Sequence, residues 1–99
     1  MLTFNLKKEW FEKIKSGEKT HEYREWSFYW AKRISNAIIQ NKEKFPIPCC
    51  FKLGYPPRND KKRILYANII CIRNLMNGLN TDLKTTNRVF DIEFKLIKE

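Results

Sequence analysis

The run Gly17-Glu18-Lys19-Thr20-His21-Glu22-Tyr23-Arg24 sets two cations and two carboxylates beside the only histidine of the chain. Lys19 offers a mobile amine whose basicity responds to its surroundings, and Arg24 a planar fork that fits a phosphate or a carboxylate. Glu22 can hold either cation or take a proton itself. Lys19, Glu22 and Arg24 are therefore the candidate catalytic residues, and Lys19 and Arg24 also the first candidates for holding an anionic ligand. In an extended segment from Thr20 to Arg24, alternation puts Thr20, Glu22 and Arg24 on one face and His21 and Tyr23 on the other, with Lys19 at the strand's mouth. His21 is thus turned away from Glu22 and reads as structural. The same three charges on an exposed strand would make a solvated ladder, so the spacing alone does not choose between a site and a surface.

The segments around this run must position it. Residues 2–6 read as a short strand with Leu2, Phe4 and Leu6 on one face. A helix follows with Trp10, Phe11 and Ile14 as its apolar stripe, and Gly17 is placed to end it in a left-handed cap that turns the chain into the strand from Thr20 to Arg24. From about Trp26 to Gln40 the spacing of Trp26, Trp30, Ile34, Ala37 and Ile38 predicts the longest helix. Trp26, Tyr29 and Trp30 could stack on bases, each contact worth about 1–3 kcal/mol. Trp26 and Trp30 lie on the apolar stripe and read mainly as core, which leaves Tyr29 and Arg33 for the rim of a cleft. Phe45-Pro46-Ile47-Pro48 breaks the helix, a strand runs from Cys49 to Leu53, and the proline-led basic tract Tyr55 to Arg63 reads as an exposed hairpin loop. Arg58, Lys61, Lys62 and Arg63 make it the densest positive patch, suited to phosphate contact or simply to solubility. Ile64 to Ile72 has the pattern of a strand buried on both sides, whereas Phe90, Ile92, Phe94 and Leu96 alternate with Asp91, Glu93 and Lys95 as in a half-exposed one. The turn Gly78 to Leu83 contains Asp82, read as a local loop cap. A β-barrel-like sheet carrying two helices accounts for these elements, without internal repeat or domain boundary.

Composition bounds the partners. Ninety-nine residues, 42% hydrophobic, with three Trp, four Tyr and seven Phe, can build one domain around one core, here residues 1–99. A net charge of +9 predicts attraction to polyanions, RNA or DNA first. No stretch approaches the roughly 20 apolar residues that cross a bilayer, and there is no apolar signal segment, so no membrane partner and a cytoplasmic location are expected. Cys49, Cys50 and Cys71 are an odd number and read as reduced thiols in strands. With one histidine and no Cys-x-x-Cys pair, neither a metal nor another cofactor is expected. Oligomeric state is not encoded in any pattern of this chain.

The order Gly17-x-Lys19-x-x-Glu22-x-Arg24 matches the signature of the ASCH domain, a small β-barrel similar to the PUA fold and associated with RNA. The likeness extends along the chain. The opening Met1 to Phe11, the trio Tyr29, Trp30 and Arg33, the strand end Leu53-Gly54-Tyr55, the turn Gly78-Leu79-Asn80-Thr81-Asp82-Leu83 and the closing strand Val89 to Ile97 resemble a small bacterial and phage-type branch of that family. The resemblance implies an α+β, PUA-like barrel with two flanking helices, and a cleft beside it lined by Lys19, Glu22 and Arg24 that binds RNA or a nucleotide. It also implies two enzymatic alternatives. Acetylcytidine amidohydrolases, similar in signature, use the signature Lys with a Thr and a separate downstream Glu; here Glu22 stands in the place of that Thr, and no acidic helix follows Ile72 to supply the second carboxylate. Other ASCH-like proteins cleave RNA. For that chemistry Glu22 or Lys19 would take the ribose hydroxyl proton while Arg24 stabilises the phosphorane charge.

Overall fold

The computed structural model describes residues 1–57 and 59–97. Five strands and two helices alternate early and then give way to a meander: β1 (Leu2–Leu6), α1 (Lys8–Lys15), β2 (His21–Glu25), α2 (Phe28–Gln40), β3 (Ile47–Leu53), β4 (Ile64–Leu75) and β5 (Val89–Leu96). They form one sheet in the order β1-β3-β4-β5-β2, parallel between β1 and β3 and antiparallel elsewhere. The parallel pair is possible because two helices and a strand intervene in sequence. The sheet curls into a half-barrel with its edge strands β1 and β2 facing one another, and a side chain bridges the seam: Arg24 Nη2 on β2 donates to the Asn5 carbonyl on β1 at 3.2 Å.

Register assigns the faces. Leu2, Phe4 and Leu6 sit opposite Cys49, Phe51 and Leu53, and the inward set continues through Ala67 and Ile69 to Phe94, Ile92 and Phe90. Glu22 and Arg24 pair with Ile92 and Phe90, so both point inward as alternation requires. The helices close this face, α1 through Phe11 and Ile14 and α2 through Ile34 and Trp30. Phe4 is stacked between Trp30 and Phe51, at ring-centroid distances of 5.2 and 5.5 Å. Burial of such aromatic rings supplies much of the stability of a small domain.

Several boundaries differ from the sequence expectation. α2 starts at Phe28 rather than Trp26, because Ser27 caps it, its Oγ accepting the Trp30 N–H at 3.1 Å. The signature strand runs one residue later than expected, from His21 to Glu25. β3 begins two residues early, at Ile47; Pro48 is tolerated there because β1 pairs only from Cys49 onward. β4 is not buried on both sides. It extends to Leu75 with Tyr66 and Ile70 exposed, since both helices pack on the inner face, and a bulge at Ile70 resets the register so that Ile69 and Ile72 both turn inward. That uneven alternation is what mimics a doubly buried strand in the sequence. Among the described residues no helix is long and apolar enough to cross a membrane.

Candidate functional site

The seam between the edge strands opens into a cleft of about 230 Å³. Asn5, Leu6 and Lys7 line it from the end of β1, Trp10 from α1, residues 22–25 from β2, and Asp82 and Leu83 from the loop before β5, with Lys19 at its centre. Two turns bring the charges together. Gly17 adopts φ +85° after α1, and the Lys19 N–H returns to the Lys13 carbonyl at 3.0 Å, so the residue carrying the amine is part of the helix's own C-terminal cap. On the other side, buried Thr81 closes the 78–83 turn: its Oγ donates to the Gly78 carbonyl at 2.7 Å and accepts the Leu83 N–H at 3.2 Å. Asp82 is thereby aimed at Lys19 and pairs with it.

Glu22 is the buried centre, 4% exposed. Its two oxygens have different partners: Oε1 lies 3.6 Å from Lys19 Nζ, while Oε2 accepts from Arg24 Nε at 3.1 Å and Nη2 at 2.7 Å. A buried carboxylate persists only when paired in this way. Aromatic faces hold the cations in turn: the Lys19 amine lies 5.0 Å from the Trp10 ring centroid and 5.2 Å from that of Tyr23, and the Arg24 guanidinium lies 4.9 Å from Trp30 and 5.4 Å from Phe4. The Tyr23 phenol is pushed above its ordinary pKa by burial and by the Asp91 and Asp82 carboxylates, with Arg73 opposing.

The structure thus brings Lys19, Glu22 and Arg24 into one cleft, with two corrections to the sequence reading. Asp82 does not cap its loop; Thr81 does, and Asp82 is ion-paired with Lys19. The fork of Arg24 does not stand open, because Nε and Nη2 already hold Glu22, and Nη2 also holds Asn5. Trp10 and Lys7 were missed as cleft residues. The signal for Trp10 was its adjacency to Phe11: neighbours on a helix point about 100° apart, so with Phe11 in the core Trp10 packs at its margin and keeps part of its ring for the cleft.

The remaining candidates lie elsewhere. Tyr29 is exposed and Arg33 stacks on Tyr29 and Trp30, 5.2 and 5.8 Å from their centroids, with Arg33 Nε buried and unbonded; neither residue lines the cleft, and both reach Arg24 only through Trp30. Lys61, Lys62 and Arg63 form one exposed 3-10 turn leading into β4. That turn belongs to the β3–β4 hairpin, which leaves the sheet where β1 enters the cleft, the Gly54 N–H donating to the Leu6 carbonyl at 3.0 Å. Arg58 lies outside the described residues. Among the described residues no group of three or more His, Cys, Asp or Glu side chains is placed to hold a metal.

A five-stranded half-barrel with two flanking helices and a charged cleft at its open seam defines a protein of the PUA-like, α+β class. The chain belongs to the ASCH domain family, whose model matches residues 4–92. ASCH domains generally bind RNA. No curated protein and no solved structure matches the chain significantly.

Proposed function

We propose that the 99 residues act as one RNA-binding ASCH domain whose cleft receives a single nucleotide of an unpaired strand. The observation that carries this reading is the makeup of the cleft: buried Glu22, shared by Lys19 and Arg24, stands beside the ring of Trp10 in a chain of net charge +9. A cleft whose two cations are matched by Glu22 and Asp82 suits a polar heterocycle with donors and acceptors better than an isolated phosphate, and bases splayed from single strands are recognised through such edges. Lys7 at the cleft and the exposed Lys61, Lys62 and Arg63 supply the backbone contacts, with Tyr29 and Arg33 available to a strand that runs on over Trp30. Three free cysteines support a reducing compartment, the cytoplasm.

A second reading is favoured by the Lys19–Asp82 pair, which puts a second carboxylate on the amine. In a hydrolase acting on RNA or on a modified nucleoside, a cleft carboxylate would accept the proton of the attacking hydroxyl, a cation would offset the oxyanion, and the resulting acid would return the proton to the leaving group. Incubation of the purified protein with mixed RNA and a nucleoside panel, followed by mass spectrometry, separates the two readings. The binding reading expects retained RNA and no new mass; a product would transfer the protein to the hydrolases, and neither binding nor product would overturn both.

A further inference from the structure

On the far side of the Lys19–Asp82 pair lies a second groove, of about 340 Å³, which shares Trp10, Lys19, Tyr23 and Asp82 with the cleft and adds Lys13, His21 and Asn80 among its walls. β2 is an edge strand, so ligand can pass from its inner to its outer side around Tyr23 without breaking a strand pairing. His21 belongs to this outer side. The sequence reads it as a structural residue, and the fold gives it two fixed neighbours. Its Nδ1 lies 2.7 Å from Oδ1 of Asp91, a carboxylate only 8% exposed although strand alternation directs it outward. Arg73 Nη1 stands 3.6 Å from the other oxygen of Asp91 and Nη2 donates to Glu93 at 2.9 Å, fixing the carboxylate from behind. The Tyr23 ring is stacked on the imidazole, 6.1 Å between centroids and 11° from parallel.

A carboxylate accepts and cannot donate, so Nδ1 carries a proton, and in the neutral imidazole Nε2 keeps its lone pair. Among the described residues Nε2 has no partner, and the His21 side chain is 32% exposed on the groove. The fold therefore holds the imidazole in a set orientation one wall away from the cleft, with Nε2 an acceptor when the ring is neutral.

Resting on the reading of the cleft as a nucleotide site, we propose that the outer groove seats the neighbouring nucleoside of an RNA strand, and that His21 Nε2 accepts a hydrogen bond from its ribose 2′-hydroxyl. Asp91 is the positioning residue. The groove then distinguishes RNA from DNA, which the charges of the cleft do not, because the 2′-hydroxyl is the group that differs.

The test titrates one short unpaired sequence in four forms: RNA, DNA, 2′-O-methyl and 2′-fluoro. Only RNA can donate from the 2′ position. The parent should bind RNA about 3- to 10-fold more tightly than the other three, the value of one hydrogen bond. His21→Phe keeps a ring against Tyr23 and removes the acceptor; Asp91→Ala keeps the imidazole and frees its orientation. In both, the four strands should bind alike. Circular dichroism reports the folding of each variant, and His21→Phe decides the matter alone if Asp91→Ala does not fold. Equal binding of the four strands by the parent, or RNA preference persisting in His21→Phe, overturns the inference while leaving RNA binding by the cleft intact. A parent that binds none of the strands removes both.

Discussion

Lys19 and Asp82 meet in an ion pair across 63 residues of sequence, and that contact joins the C-terminal cap of α1 to the loop before β5 over the floor of the cleft. It depends on Gly78. A Cβ there would stand 2.7 Å from Val89 Cγ2 and 2.9 Å from Thr85 Cγ2, both β-branched and in fixed surroundings.

Gly78→Ala should accordingly displace the turn that aims Asp82. Overpacking of this kind costs about 1–3 kcal/mol. Urea unfolding would read the loss of stability, and the affinity for a short RNA should drop as Lys19 is released; Asp82→Asn should reproduce the affinity change with a smaller loss of stability.

Arg24 is expected to be irreplaceable by lysine. Arg24→Lys keeps the charge but cannot hold Glu22 Oε2 and the Asn5 carbonyl together, so the seam between β1 and β2 loosens and ligand binding weakens. Arg24→Met leaves buried Glu22 with Lys19 alone and should cost about 3–5 kcal/mol. Chemical denaturation and RNA titration on the two variants check this; parent-like binding by Arg24→Lys would show that the guanidinium serves no ligand.

If mass spectrometry reveals turnover, Lys19→Met or Glu22→Gln should abolish it, with a loss of rate well beyond the weakening of RNA binding expected of any cleft variant, since proton transfer contributes about 10²–10⁴-fold to rate. Acetylated cytidine should not be deacetylated by the parent, because the resemblance to the amidohydrolases puts Glu22 where they have a nucleophilic Thr. Product formation from that nucleoside would show that a cleft carboxylate and water replace it.

Alkaline stability should be limited by Cys49. Burial, then Cys50 and Glu22, pushes its thiol up from 9.0 to about 12. Between those values the unfolded chain has released the proton and the folded chain has kept it, so the native state loses up to about 4 kcal/mol as pH rises through the window. Unfolding curves from pH 8 upward would show the decline, and Cys49→Ala should flatten it at the expense of a small cavity.

Much of this architecture is visible in the chain before folding. Period-two apolar spacing marks β1 and β5, and the left-handed turn at Gly17 and the common face of Glu22 and Arg24 follow from local backbone rules that tertiary contacts leave untouched. Asp82 was invisible as a partner of Lys19 because nothing local encodes a pairing between a turn and a helix cap so far apart. Asp91 was equally hidden. Its place in the alternation predicts solvent, and only the register of β5 with β2 and β4 sets it between Tyr23 and Arg73. The exposure of Ile70 depends on a bulge, which a continuous apolar run conceals.

The central claim, that this domain binds RNA through the cleft with help from its basic surface, is tested most directly by titrating an unpaired RNA at several salt concentrations against the parent, Arg24→Lys, and a variant with Lys61, Lys62 and Arg63 replaced by Gln. Affinity of the parent should fall linearly on a log–log plot, by about 0.7 in slope per phosphate neutralised, with the triple variant shallower and still folded and Arg24→Lys weaker at every salt concentration. A parent that fails to bind, or whose binding ignores salt and is unchanged in both variants, would contradict it.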